Sequence, residues 1–179
     1  MGHGLSVLIF LTKTLTQVSE QIKITKNPIG IFIKWLSLSF LTIVALRIVL
    51  AIIFALTGIL PEQPHLESYP SKELLFEALI KAPLIESILI IGLLIMFNRL
   101  MNQKTSIFLT AILFGVMHLD FGVNWMTIFV CALSGYLFSY FYLKAQSYNI
   151  SGYWLIVLMH SFDNAITLIP DLIQYFKII

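Results

Sequence analysis

Residues 81–97, KAPLIESILIIGLLIMF, form an aliphatic run long enough to lie in a bilayer and carry one carboxylate inside it, Glu86. An ionisable side chain at the centre of a bilayer costs roughly 2.5–3.5 kcal/mol on insertion scales. A chain keeps such a group where it faces a polar cavity and has work to do. Glu86 is therefore the first candidate functional residue, and the rest of the sequence is read for groups that would face it.

The composition supports a membrane setting. Of 179 residues, 59% are hydrophobic and 11% charged, against about 25% charged in an ordinary soluble domain. The net charge of +2 is small, and its basic residues are scattered among short loops, so a nucleic-acid partner is not expected. The lone cysteine, Cys131, has no partner for an intrachain disulfide.

Outward from residues 81–97 the chain divides into apolar runs and short polar breaks. Residues 1–28 read as an amphipathic, interfacial segment in which Leu5, Leu8, Ile9, Leu15, Val18 and Ile22 recur near helical spacing. They have neither the basic start nor the small-residue cleavage site of a signal peptide. Asn27-Pro28 breaks that segment, and Ile29 to Leu60 is long enough for a tilted span, with Arg47 near its middle. Pro61, Pro64 and Pro70 mark an irregular loop, and Ser71 is placed to cap the next helix. Glu73, Glu77 and Lys81 are spaced by four and share a solvated face, and Pro83 is expected to kink the helix just before Glu86.

Thr105–Leu119, Trp125–Leu143 and Tyr153–Ile169 are the third to fifth spans, the last closed by Pro170-Asp171. Cys131, Gly135 and Ser139, also spaced by four, would let the fourth span approach a neighbour closely. The fold expected is an all-α, polytopic membrane bundle of about five transmembrane helices: a transmembrane domain over 29–179, with its motif-bearing core at 71–170, behind the interfacial segment. Lys13, Lys23, Lys26, Lys34, Arg99, Lys104 and Lys144 fall on one side of that topology and Lys72, Lys81 and Lys177 on the other. By the positive-inside rule the N-terminus is cytoplasmic.

Two patterns in the later spans supply partners for Glu86. FGVMH, Phe114 to His118, sets an aromatic residue one turn before a histidine. HSFDN sets His160 and Asn164 on one helical face. A carboxylate in a low-dielectric pocket can act as general base toward water, while imidazole and amide groups orient that water or donate to an oxyanion. The same Glu and two His are also an adequate first shell for zinc with an open position. Spacing leaves the two alternatives open. Arg47 and Asp163 are further charges at membrane depth, where charges usually pair. Arg47 is expected to point into the bundle, with Asp163 the favoured partner.

The order Pro83-Leu-Ile-Glu86, Phe114-Gly-Val-Met-His118, His160-Ser-Phe-Asp-Asn164 resembles the CPBP family, the Abi-like CAAX protease and bacteriocin-processing intramembrane endopeptidases. The resemblance covers about Ser71 to Pro170. It implies that Glu86 and His118 activate water, that His160 and Asn164 stabilise the oxyanion, that no cofactor is needed, and that the substrate is a peptide or membrane-anchored protein. It implies an integral protein of a bacterial plasma membrane. A non-catalytic bacteriocin-immunity protein of the same fold and a small proton-coupled transporter are the rival functions. The family's first motif usually reads EExxxR; here Ser87 stands at the second acid and Ile91 at the arginine. Those positions are one helical turn apart and can pair with each other, so losing both leaves no orphaned charge.

Overall fold

The computed structural model describes residues 27–58, 72–119 and 125–176, with side chains through residue 169. The expected N-terminal amphipathic helix, the Ser71 cap and the 120–124 connection lie outside the described residues.

Helix α1, Pro28–Thr57, starts where the sequence places it. Proline is compatible with the first helical position because it needs no N–H there, and the Asn27 carboxamide oxygen accepts from the Gly30 N–H at 2.8 Å. The helix closes on Gly58 at φ 68, left-handed backbone that favours glycine, whose N–H returns to the Phe54 carbonyl. Apolar residues surround the whole helix, and Ile29, Leu41 and Leu56 are 71%, 67% and 82% exposed. That surface suits acyl chains, not water.

Helix α2 runs from Lys72 to Leu100 and is π-helical over Glu77–Lys81. The expected irregularity before Glu86 is thus present, as a π turn ending just ahead of Pro83 rather than a break at the proline itself. α3 is Gln103–Val116, α4 Trp125–Ser147 and α5 Gly152–Phe176. Asn102 caps α3, its carboxamide oxygen accepting from the Thr105 N–H at 3.1 Å. α5 continues past the boundary expected at Pro170-Asp171. A proline removes one backbone donor, and a membrane helix can absorb that loss without ending.

Three of these helices, α1, α2 and α4, are long and apolar enough to cross a membrane. α3, at 14 residues, spans only about 21 Å and packs most extensively on α4. The described chain is a helical membrane bundle. Glycines set how closely α3 and α4 approach: a Cβ on Gly115 would lie 2.6 Å from the Ile128 carbonyl oxygen, and one on Gly135 would lie 2.8 Å from the Phe114 ring. Ile43, Ile90, Phe114, Phe138, Leu155 and Met159 form the centre of the core, drawn from all five helices. Ile91 packs against this core and Ser87 is fully buried. Of the two positions at which the chain departs from EExxxR, one is fully buried and the other is half-buried.

Candidate active site

Glu86, His118 and His160 meet between α2, the end of α3 and α5. The Glu86 Oε2 atom lies 3.5 Å from His160 Nε2 and 3.9 Å from His118 Nε2. It is buried and has no hydrogen-bond partner, although the side chain as a whole is 32% exposed. Both separations exceed a direct hydrogen bond. In uncomplexed active sites, catalytic contacts are commonly long and shorten when a reacting group enters.

Each imidazole is held by its surroundings. α3 ends at Val116, and the His118 N–H goes to the Gly115 carbonyl at 3.1 Å in a tightened last turn. That leaves the Phe114 carbonyl, the ordinary α-helical acceptor for residue 118, to the His118 ring: Nδ1 lies 2.8 Å from it. A carbonyl can only accept, so Nδ1 carries a proton, and the neutral tautomer with that proton in place offers Nε2 to Glu86 as an acceptor. This gives the FxxxH spacing a physical meaning, since residue 114 supplies both the carbonyl that selects the tautomer and a ring packed edge-on to the imidazole, centroids 4.9 Å apart.

His160 is 5% exposed and lies between Phe138 and Phe114, at centroid distances of 4.9 and 5.9 Å. Its Nδ1 is buried without a partner. A buried N–H left unpaired costs more than a ring lone pair facing apolar groups. The favoured tautomer therefore carries its proton on Nε2, aimed at Glu86. The two histidines are complementary: one offers an acceptor to the space beside Oε2 and the other a donor.

Asn164, one turn beyond His160 on α5, has a different immediate partner. Its Nδ2 donates to the Ala78 carbonyl on α2 at 2.7 Å. Between them, Asp163 receives Arg47 Nε at 2.7 Å and Arg47 Nη2 at 2.6 Å on Oδ1, and the Ser134 hydroxyl at 2.7 Å on Oδ2. The expected pairing of Arg47 with Asp163 is present, and Arg47 does not take the place of the motif arginine beside Glu86. Ser134, Phe138 and the Ala78 carbonyl were not singled out by the sequence. A serine and a phenylalanine in an apolar helix look like packing, and a backbone carbonyl has no signature in the residue type.

A metal is the alternative use for a glutamate and two histidines. A ligating histidine must present a lone pair to the metal and usually rests its other N–H on an acceptor. His118 meets that requirement through Phe114. His160 does not, because metal binding at Nε2 would put a proton on the unpartnered Nδ1. Among the described residues no group of three His, Cys, Asp or Glu has an arrangement that would hold a metal ion.

The fold and the site together are a helical membrane bundle in which a glutamate and two imidazoles converge on one buried carboxylate oxygen. The family model described as Type II CAAX prenyl endopeptidase Rce1-like matches residues 73–166, more than half of the 179-residue chain. The chain belongs to that protease family. No curated protein and no solved structure matches it.

Proposed function

We propose that the protein is an intramembrane endopeptidase that hydrolyses a peptide bond in a lipid-anchored or membrane-inserted substrate without a metal. The observation that carries this reading is the unpartnered Glu86 Oε2 between the Nε2 atoms of His118 and His160, which the tautomers argued above make an acceptor and a donor. Water held between Glu86 and His118 Nε2 loses a proton to the carboxylate as its oxygen attacks the scissile carbonyl. His160 Nε2–H donates to the developing oxyanion. Removing one such donor typically costs about 10²–10³ in rate. Collapse of the tetrahedral intermediate breaks the C–N bond, and the proton held by Glu86 passes to the leaving amine. One water and one peptide bond give one carboxylic acid and one amine.

The site is enclosed by apolar helices, so the substrate reaches it from the bilayer and an apolar anchor on the substrate would add binding energy. The match to type II CAAX prenyl endopeptidases makes a prenylated CAAX peptide the first substrate to try. By the distribution of Lys and Arg the N-terminus faces the cytoplasm, and the resemblance stated above points to a bacterial plasma membrane. The rival reading, a non-catalytic immunity protein, draws on Ser87 and Ile91 standing where the family motif has Glu and Arg. Ser87 is buried and Ile91 packs against the core, and the convergence of Glu86, His118 and His160 does not depend on either. Incubation of the detergent-purified protein with a fluorogenic prenylated CAAX peptide, and with unprenylated and transmembrane peptides in parallel, tests the proposal. Cleavage is expected for an anchored peptide; no cleavage of any of them, by protein shown to be folded, would favour the non-catalytic reading.

A further inference from the structure

The π turn in α2 leaves a backbone carbonyl without its normal partner. Within Glu77–Lys81 the hydrogen bonds step five residues, and the Ala82 N–H reaches back to the Glu77 carbonyl. In an α-helix that N–H would have served Ala78. The next residue able to serve Ala78 in the π register is Pro83, which has no N–H. The Ala78 carbonyl is therefore orphaned twice, once by the π register and once by the proline. A buried carbonyl in that state needs a donor from elsewhere. The donor is Asn164 Nδ2, at 2.7 Å.

The contact matters for Glu86 because of what a π turn does to a helix. It inserts one extra residue, and one residue is about 100° of rotation at 3.6 residues per turn. Every side chain beyond Lys81 is turned by that amount relative to an unbroken α-helix. Glu86 lies five residues beyond the π segment, so the π turn decides which face of α2 carries it. The face it occupies is the one toward His118 and His160. Asn164 is on the same helix as His160, one turn away, so one rigid element both supplies an imidazole and holds α2 in the register that aims the carboxylate at it.

We infer that Asn164 is a positioning residue, whose amide caps the Ala78 carbonyl and so fixes the π register that presents Glu86 to the histidines. The importance of this cap for turnover rests on the protease reading above; the cap itself does not. The role is distinct from the oxyanion donor that the resemblance implies, in which Asn164 would touch the substrate. Both roles make Asn164→Ala a poor enzyme, so that variant alone does not separate them. Pro83 does.

Pro83→Ala restores a backbone N–H at the position that faces the Ala78 carbonyl in the π register. If Asn164 acts by capping, the restored N–H substitutes for it. The experiment compares wild type, Asn164→Ala, Pro83→Ala and Pro83→Ala/Asn164→Ala in detergent by thermal melt, by hydrogen exchange of the amides over residues 78–88, and by kcat on whichever anchored peptide wild type cleaves. Asn164→Ala is expected to melt a few degrees lower, to exchange faster over 78–88, and to lose kcat on the order of 10²-fold, the scale of a 1 Å misplacement of a catalytic group. The double variant should regain the melting temperature, the exchange protection and most of the kcat. Unchanged melting and exchange in Asn164→Ala would overturn the cap, whether or not the protein is a protease. A double variant that regains protection but stays as inactive as Asn164→Ala would overturn the positioning role and return Asn164 to the oxyanion. Should Pro83→Ala by itself draw the segment into an α-helix, exchange protection will rise while kcat falls in that single variant. That outcome would support the claim that register aims Glu86. Retained kcat in a straightened helix would overturn it.

Discussion

Arg47 and Asp163 are joined across 116 positions of sequence by two contacts to one carboxylate oxygen, Nε at 2.7 Å and Nη2 at 2.6 Å. The pair ties α1, which otherwise presents an apolar surface to lipid, to the helix that carries His160. Asp163 is 5% exposed and Arg47 25% at the side chain, so the carboxylate is the group that suffers if its partner is lost. Removing one member of a buried pair costs about 3–5 kcal/mol, whereas replacing both by apolar groups is often close to neutral. Arg47→Met and Asp163→Leu are each expected to destabilise the protein by an amount toward the lower end of that range, because Arg47 is partly exposed. The double variant should recover most of the loss. Denaturation of the four proteins in detergent measures this, and a double-variant loss equal to the sum of the singles would show that the two residues do not support one another.

Glu86→Gln preserves the size of the side chain and removes its capacity to take a proton from water. Since Glu86 Oε2 has no hydrogen-bond partner, placing the amide nitrogen there breaks no bond to that atom, and the melt should be close to wild type while cleavage disappears. Cleavage assays alongside a melt give the answer. Full activity would remove Glu86 from the role of base.

These two sites were accessible from sequence for the same reason. A charge within an apolar run is costly wherever the helix lies, so Glu86, Arg47 and Asp163 identify themselves, and the search for partners at similar depth is short. The histidines follow, because FxxxH and HxxxN put their chemistry one turn apart on a helix. The rest depended on backbone that residue types do not encode. Pro83 signals an irregularity but not whether it becomes a kink or a π turn, and the Ala78 carbonyl that results is chemically the same as every other carbonyl in the chain. Ser134 and Phe138 acquire their roles only from where α4 crosses α5. Gly135 was legible as a small residue in a row of four-spaced positions, but its neighbour Phe114, and through Phe114 its link to His118, was not.

His118→Asn tests the tautomer argument. The asparagine amide can replace Nδ1–H as a donor to the Phe114 carbonyl but offers nothing at the position of Nε2. A positioned general acid or base typically contributes about 10²–10⁴-fold, and a loss of kcat within that range is expected with stability nearly retained. Single-turnover rates on the cleaved peptide measure it. An unaffected rate would mean that the side of the ring facing Glu86 takes no part.

Gly115→Ala should destabilise without any direct contact with the reacting groups. Its Cβ would stand 2.6 Å from the Ile128 carbonyl oxygen and 2.9 Å from the Ala132 Cβ, and neither is the mobile end of a long side chain. Relief requires α3 and α4 to separate, and overpacking of this kind costs typically about 1–3 kcal/mol. The melting temperature in detergent should fall accordingly. An unchanged melt would show that the α3–α4 interface yields more readily than its packing implies.

The last test concerns metal. Glu86, His118 and His160 offer donor atoms that zinc accepts, and the Phe114 carbonyl already supports His118 in the tautomer a ligand needs. His160 fits that role less well: ligation through Nε2 would strand a proton on the buried Nδ1, which has no acceptor, at a cost of about 1–3 kcal/mol. With its proton on Nε2, His160 is instead ready to donate to an oxyanion. Active protein is therefore expected to contain no stoichiometric transition metal and to keep its rate after prolonged treatment with a strong chelator. Elemental analysis of active fractions, paired with the rate before and after chelation, measures both. Stoichiometric zinc that is lost together with activity, and restores it when added back, would replace the carboxylate-base mechanism with metal-assisted hydrolysis at the same three residues.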